Sequence, residues 1–165
     1  VTTEDVMGYE RAVEWNGLIG AFGFIVTFCI AFYLAKLAKK HGAKMIHFAC
    51  LLFGAISFLW FPRIQNEDVF FAVIIGYGSA WASMMGIPYL MVVAVIPKER
   101  YGVYMGIINM MIVIPMIIQN LSFGYILKNF LDNDPRQAIS FAGVLLMLAA
   151  ICTLLIKIKN TKVSE

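Results

Sequence analysis

Asn109 carries the clearest chemical demand in this chain of 165 residues. Its amide places donors and an acceptor in the middle of the charge-free run Tyr101–Leu127. Burying those groups without partners costs roughly 2–7 kcal/mol, depending on the reference state. Another helix, cavity water or a polar substrate would each satisfy the amide, and spacing alone leaves the three open. Trp81 stands well inside a second charge-free run, Val69–Pro97, too deep for an interfacial aromatic belt. Packing and stacking on the apolar face of a sugar ring are both open to it, and Tyr77 and Tyr89 share that ambiguity. Gln119 and Asn120 fall nearer the far end of their run, where hydration suffices.

Catalysis finds no matching set. No charge-free run has a carboxylate at its centre to act as a general acid or base. An intramembrane serine protease needs a tight Gly-x-Ser-Gly setting and a histidine on another span, and Gly78-Ser79-Ala80 lacks that spacing. The two histidines, His41 and His47, share no face with a cysteine or carboxylate in a metal-ligand pattern, and His47 is expected near a membrane interface. Cys29, Cys50 and Cys152 are odd in number and all lie within apolar runs, which fits small packing residues rather than disulfides.

The elements that position these residues follow from composition. Hydrophobic residues make up 61% of the chain and charged ones 14%, against about 45–50% and about 25% in soluble domains. Five runs lack Asp, Glu, Lys and Arg altogether: Trp15–Ala35, Met45–Pro62, Val69–Pro97, Tyr101–Leu127 and Gln137–Ile156. Each meets or approaches the roughly 17–25 residues that a helix needs to cross a bilayer. Transmembrane strands need only about 9–11 residues with alternate polar positions, so the runs are helices. An all-α membrane protein with five transmembrane helices is expected, with spans near 12–38, 44–62, 68–97, 101–127 and 136–157. Secreted, nucleic-acid-binding and disordered classes are excluded.

The net charge of +3 hides an asymmetry. Lys36, Lys39, Lys40, Lys44, Lys98, Arg100, Lys157, Lys159 and Lys162 fall on one side of the spans, with only Glu99 and Glu165 as acids. The other side has an acidic excess from Glu4, Asp5, Glu10, Glu14, Glu67, Asp68, Asp132 and Asp134. Basic residues in short loops stay in the cytoplasm, so the C-terminus is expected there. The opening Val-Thr-Thr-Glu-Asp has neither an initiator Met nor a signal peptide, and is read as a cut in a longer chain.

The spans differ in character. The second and fifth, rich in Leu, Ile, Phe, Ala and Met, are expected at the lipid-facing periphery. The third and fourth hold the polar and helix-breaking residues, including Pro88 and Pro115, whose missing hydrogen bonds must be offset by neighbouring helices or water. Two such helices in succession fit a cavity wall. Short connections predict that consecutive helices are antiparallel neighbours. Small residues, among them Gly17, Gly20, Gly23, Gly76, Gly78, Gly86, Gly102 and Gly106, are expected to allow close helix approach.

The run Gly76-Tyr-Gly-Ser-Ala-Trp-Ala-Ser-Met-Met-Gly-Ile-Pro88-Tyr89 resembles the tenth helix of a major facilitator superfamily transporter. The following Pro97-Lys-Glu-Arg-Tyr-Gly102-Val-Tyr-Met-Gly106-Ile-Ile-Asn109, with Pro115 beyond it, resembles the link to the eleventh helix and that helix itself. Within the superfamily these motifs are similar to the glycoside/cation symporter branch that includes sucrose and maltose transporters. The chain then reads as a partial C-terminal half of a twelve-helix major facilitator fold, helices eight to twelve, with residues 1–165 as one transmembrane bundle fragment. Two positions depart from the pattern. The first basic loop, Lys39-Lys40-His41-Gly42-Ala43-Lys44, has a lysine where the superfamily signature has aspartate, and Met116 follows Pro115 where relatives tend to have glutamine.

The resemblance implies sugar:cation symport by alternating access at the plasma (inner) membrane. Asn109 would hydrogen-bond a sugar or glycoside and Trp81 would stack on it, supported by Ser79, Ser83 and Tyr89, with Asn16 near the outer mouth. Pro88, Pro115, Gly102 and Gly106 would serve bending and gating. The partners implied are the bilayer and the N-terminal transmembrane half of the same chain. No cofactor is implied; the coupling cation, H+ or Na+, would be bound mainly by that other half. Two alternatives stay open: a facilitator exporting drugs or other hydrophobic compounds, and a free-standing five-span assembly protein.

Overall fold

The structure, a computed structural model, describes residues 3–64 and 67–157. Lys159, Lys162 and Glu165 of the basic side lie outside them. The element order is α1 (Thr3–His41), α2 (Ala43–Trp60), a 3-10 turn (Phe61–Arg63), α3 (Glu67–Val93), a second 3-10 turn (Lys98–Arg100), α4 (Tyr101–Phe130) and α5 (Pro135–Leu155). Five helices are long and apolar enough to cross a membrane. The first extends well before the expected start at 12, because Glu10 and Glu14 continue the helix outside its apolar stretch.

Punctuation falls where backbone chemistry demands it. Gly42 joins α1 to α2 at φ 89, a conformation that side chains disfavour. Asp132 and Asn133 turn the chain after α4 at φ 48 and 58, and both residue types tolerate this left-handed region. Asp134 then caps α5, its side chain accepting a hydrogen bond from the Arg136 backbone N–H at 2.9 Å with Pro135 in the first turn.

Packing runs in the order α1, α3, α2, α5. α1 and α3 are parallel: Gly23 meets Ile74, and Val26 and Thr27 meet Gly78. Further along, Leu34 and Ala38 cluster with Ala82 and Ile87. α2 is antiparallel to α3, with Gly54 against Ala80 and Ser57 against Gly76. It is antiparallel to α5 as well, with Leu59 against Gly143 at one end and Lys44 beside Leu154 at the other. The Lys44 ammonium donates to the Leu154 and Ile156 carbonyls at 2.7 Å each, satisfying acceptors that the end of α5 leaves open. The start of α2 and the end of α5 therefore share one end of the bundle.

Two expectations need correction. α2 is not peripheral: it lies between α3 and α5, because Gly54 and Ser57 let α3 approach closely while Gly143 of α5 admits Phe58 and Leu59 on the other side. A ranking by polarity overlooks such contacts, since glycine adds little to it. Consecutive helices are not always neighbours either. α4 touches α3 only sparsely, and no extended α4–α5 contact forms. The glycines of α4 give the reason, since a Cβ added at Gly102, Gly106 or Gly124 would meet nothing within 4 Å.

Candidate functional site

α3 positions most of the residues singled out by the sequence. Gly76, Ala80 and Ser83 recur at helical spacing and face α2, while Ile74, Gly78 and Ala82 face α1. Tyr77 and Trp81, one turn apart, remain on the open side. Trp81 is 37% exposed, and its ring lies 6.0 Å from that of Tyr77, which stacks at 5.6 Å on Phe58 of α2. The three rings make an aromatic run along the bundle surface.

Tyr77 and Trp81 also line a groove of about 150 Å³ between α1 and α3, completed by Ile19, Gly20, Gly23, Phe24, Thr27 and Ile74. Thr27 contributes the only side-chain hydroxyl besides Tyr77, and it donates to the Gly23 carbonyl of its own helix at 2.8 Å. The groove wall is thus largely apolar. A smaller set, Trp15, Ile19, Phe70 and Phe71, shapes a second hollow towards the start of α1. Asn16 is exposed on α1 beside it and is not part of either lining.

Tyr89 and Asn109 come together directly. The tyrosine hydroxyl donates to Asn109 Oδ1 at 2.5 Å, joining α3 to α4. Among the described residues the amide N–H groups of Asn109 have no hydrogen-bond acceptor, and the residue is exposed on the helix face. Trp81 lies about two turns along α3 from Tyr89, a rise of roughly 12 Å, so the stacking ring and the amide are placed at different depths.

The two serines are turned inward. Ser79 donates to the Ile75 carbonyl at 2.7 Å and is buried. Ser83 is fully buried and its Oγ lies 2.7 Å from His47 Nδ1 on α2. His47 is buried against α3, a contact that only the pairing of the two helices creates by bringing residue 47 opposite residue 83. Helical assignment runs through Pro88 and Pro115 without interruption. The proline nitrogens leave the Met84 and Met111 carbonyls without their usual intrahelical donors. Gln119 and Asn120 are exposed on α4. Among the described residues no three His, Cys, Asp or Glu side chains converge as a metal site, and no buried side-chain N or O lacks a partner.

The sequence matches the Major Facilitator Superfamily over residues 1–120, which takes in α1, α2, α3 and α4 past Pro115. The chain belongs to the major facilitator superfamily. As a facilitator it is an integral membrane protein and a secondary transporter of small molecules, and it is not an enzyme. The match is to the superfamily as a whole and assigns no branch. No curated protein and no solved structure matches the chain.

Proposed function

We propose that this facilitator carries a sugar or glycoside together with a cation, H+ or Na+, by alternating access, and that residues 1–165 supply one transmembrane bundle of the transport path. Two bundles rocking about a midplane site expose it first to one side and then to the other. The Tyr89–Asn109 bond is the observation that carries this reading. It leaves amide donors pointing outward on the α4 face, where sugar hydroxyls find partners, while Trp81 offers an exposed ring for the apolar sugar face. Ser83 supports the site by tying α3 to α2 through His47, and Ser79 by its bond within α3. Asn16 would act only at the outer mouth. Pro88 and Pro115 would provide the bending points, and Gly102 and Gly106 the open face on which the other bundle closes. The wall is in the plasma (inner) membrane, with the Lys44 end of the bundle in the cytoplasm.

The apolar lining of the α1–α3 groove favours one other reading, export of hydrophobic compounds. Transport in proteoliposomes separates the two. Uptake of labelled disaccharides or glycosides driven by an imposed proton or sodium gradient is the expected result. Gradient-driven movement of hydrophobic dyes, with no movement of any sugar, would replace symport by export.

A further inference from the structure

We propose that His47 is a proton-binding site whose state is passed to α3 through Ser83. The site lies on the α2–α3 seam. Ser83 is fully buried and His47 is 8% exposed, and their side chains meet at 2.7 Å. His47 and Ser83 therefore form a polar pair across the α2–α3 seam, with Cys50 one turn beyond His47 on α2.

The hydroxyl has one proton and two places to put it. With neutral His47 bearing its proton on Nε2, Ser83 donates to Nδ1. When a proton from the cytoplasmic water is added at Nδ1, the imidazolium donates to Ser83 Oγ instead, and the serine proton turns away from the ring, towards the carbonyl one turn back on α3. No bond other than the new N–H forms, and the added charge resides on the ring. Histidine titrates in the physiological range, which suits such a device. His47 is five residues beyond Gly42, roughly 7.5 Å along the helix from the basic end, so the path for a proton is short.

No other charge competes at the seam among the described residues. α3 offers no Asp, Glu, Lys, Arg or His between Val69 and Val93, and α5 none between Gln137 and Leu155. Lys36, Lys39, Lys40 and His41 of α1 are exposed. On α2 itself Lys44 is committed to the end of α5, leaving Cys50 as the one other titratable side chain of that helix. Ser83 and Trp81 lie on one helix, two residues and about 200° apart, so a change at the seam moves the open face. The inference rests on family membership, not on sugar as the substrate, and fails or survives separately from it.

The test uses the chain in lipid nanodiscs. With only two histidines, the His41→Gln protein gives a single 15N-imidazole signal, followed from about pH 8 to about pH 5. In parallel, Trp15→Phe with Trp60→Phe leaves Trp81 as the only indole reporter. The expected result is that His47 protonates in this range and Trp81 emission changes with the same midpoint. In Ser83→Ala the imidazole still titrates but the Trp81 response is lost, and in His47→Gln, which keeps a hydrogen-bonding side chain, it is lost too. A His47 signal that stays neutral throughout, or a Trp81 response unchanged in Ser83→Ala, would overturn the proposal. Circular dichroism of each variant separates loss of coupling from loss of fold.

Discussion

Tyr89 donates to Asn109 at 2.5 Å, and among the described residues this is the one hydrogen bond between side chains that joins α4 to another helix. Tyr101 adds only a long contact, 3.5 Å, to the Val93 carbonyl near the turn. An otherwise loosely attached helix is thus held to α3 at a single polar point. That point is also where the sugar-binding amide is expected.

Removing the hydroxyl should loosen α4. Interhelical hydrogen bonds in membranes contribute about 0.6 kcal/mol on average and about 1–2 kcal/mol in model peptides, so Tyr89→Phe shifts the attached population several-fold at most. Spin labels at exposed Leu90 and Met110 should report a broader distance distribution in Tyr89→Phe than in the parent. An unchanged distribution would show that backbone contacts alone hold α4.

The α2–α3 seam should reject even one methyl group. A Cβ at Gly54 would lie 2.5 Å from the Ala80 Cβ, and one at Gly76 would run into Ser57 with the Phe53 carbonyl 3.2 Å away. Overpacking of this kind costs about 1–3 kcal/mol. Gly54→Ala and Gly76→Ala should lower the thermal midpoint in detergent. Gly86→Ala, where an added Cβ meets nothing within 4 Å, should hold or raise it, because alanine is the better helix former by about 1 kcal/mol.

Lys44 should matter through the end of α5. Its ammonium bonds two carbonyls there, and cations at helix C-termini contribute about 0.3–1 kcal/mol. Lys44→Met should speed amide hydrogen exchange in the last turn of α5 and leave α3 unaffected. Equal rates in both proteins would contradict the contact.

The α1–α2 joint should depend on glycine. At φ 89 a side chain on residue 42 is strained, at a cost of roughly 1–3 kcal/mol. Gly42→Val is expected to destabilise, whereas Asn133→Gly, at a left-handed position that glycine adopts freely, is expected to be neutral or better.

The five helices were legible because charge is excluded from hydrocarbon: the runs between charged residues mark the helices to within a few residues everywhere except at the two ends of α1. Asn109 was legible for the same reason, as a costly amide in an apolar run. Its bond with Tyr89 was not, since the distance depends on how α4 leans on α3. The place of α2 was hidden because Gly54 and Ser57 are scattered among Leu and Phe, and their value lies in closeness rather than polarity. His47 next to Ser83 required the register of two antiparallel helices, which periodicity within either one does not contain.

Whether Asn109 and Trp81 face a transported sugar is tested most directly by proton- or sodium-gradient-driven glycoside uptake in proteoliposomes, comparing the parent with Asn109→Leu and Trp81→Ala at equal membrane insertion. Loss of most uptake in both variants is expected, since a lost hydrogen bond or stacking contact of about 1.4 kcal/mol lowers affinity about tenfold. Undiminished uptake in both would contradict that placement.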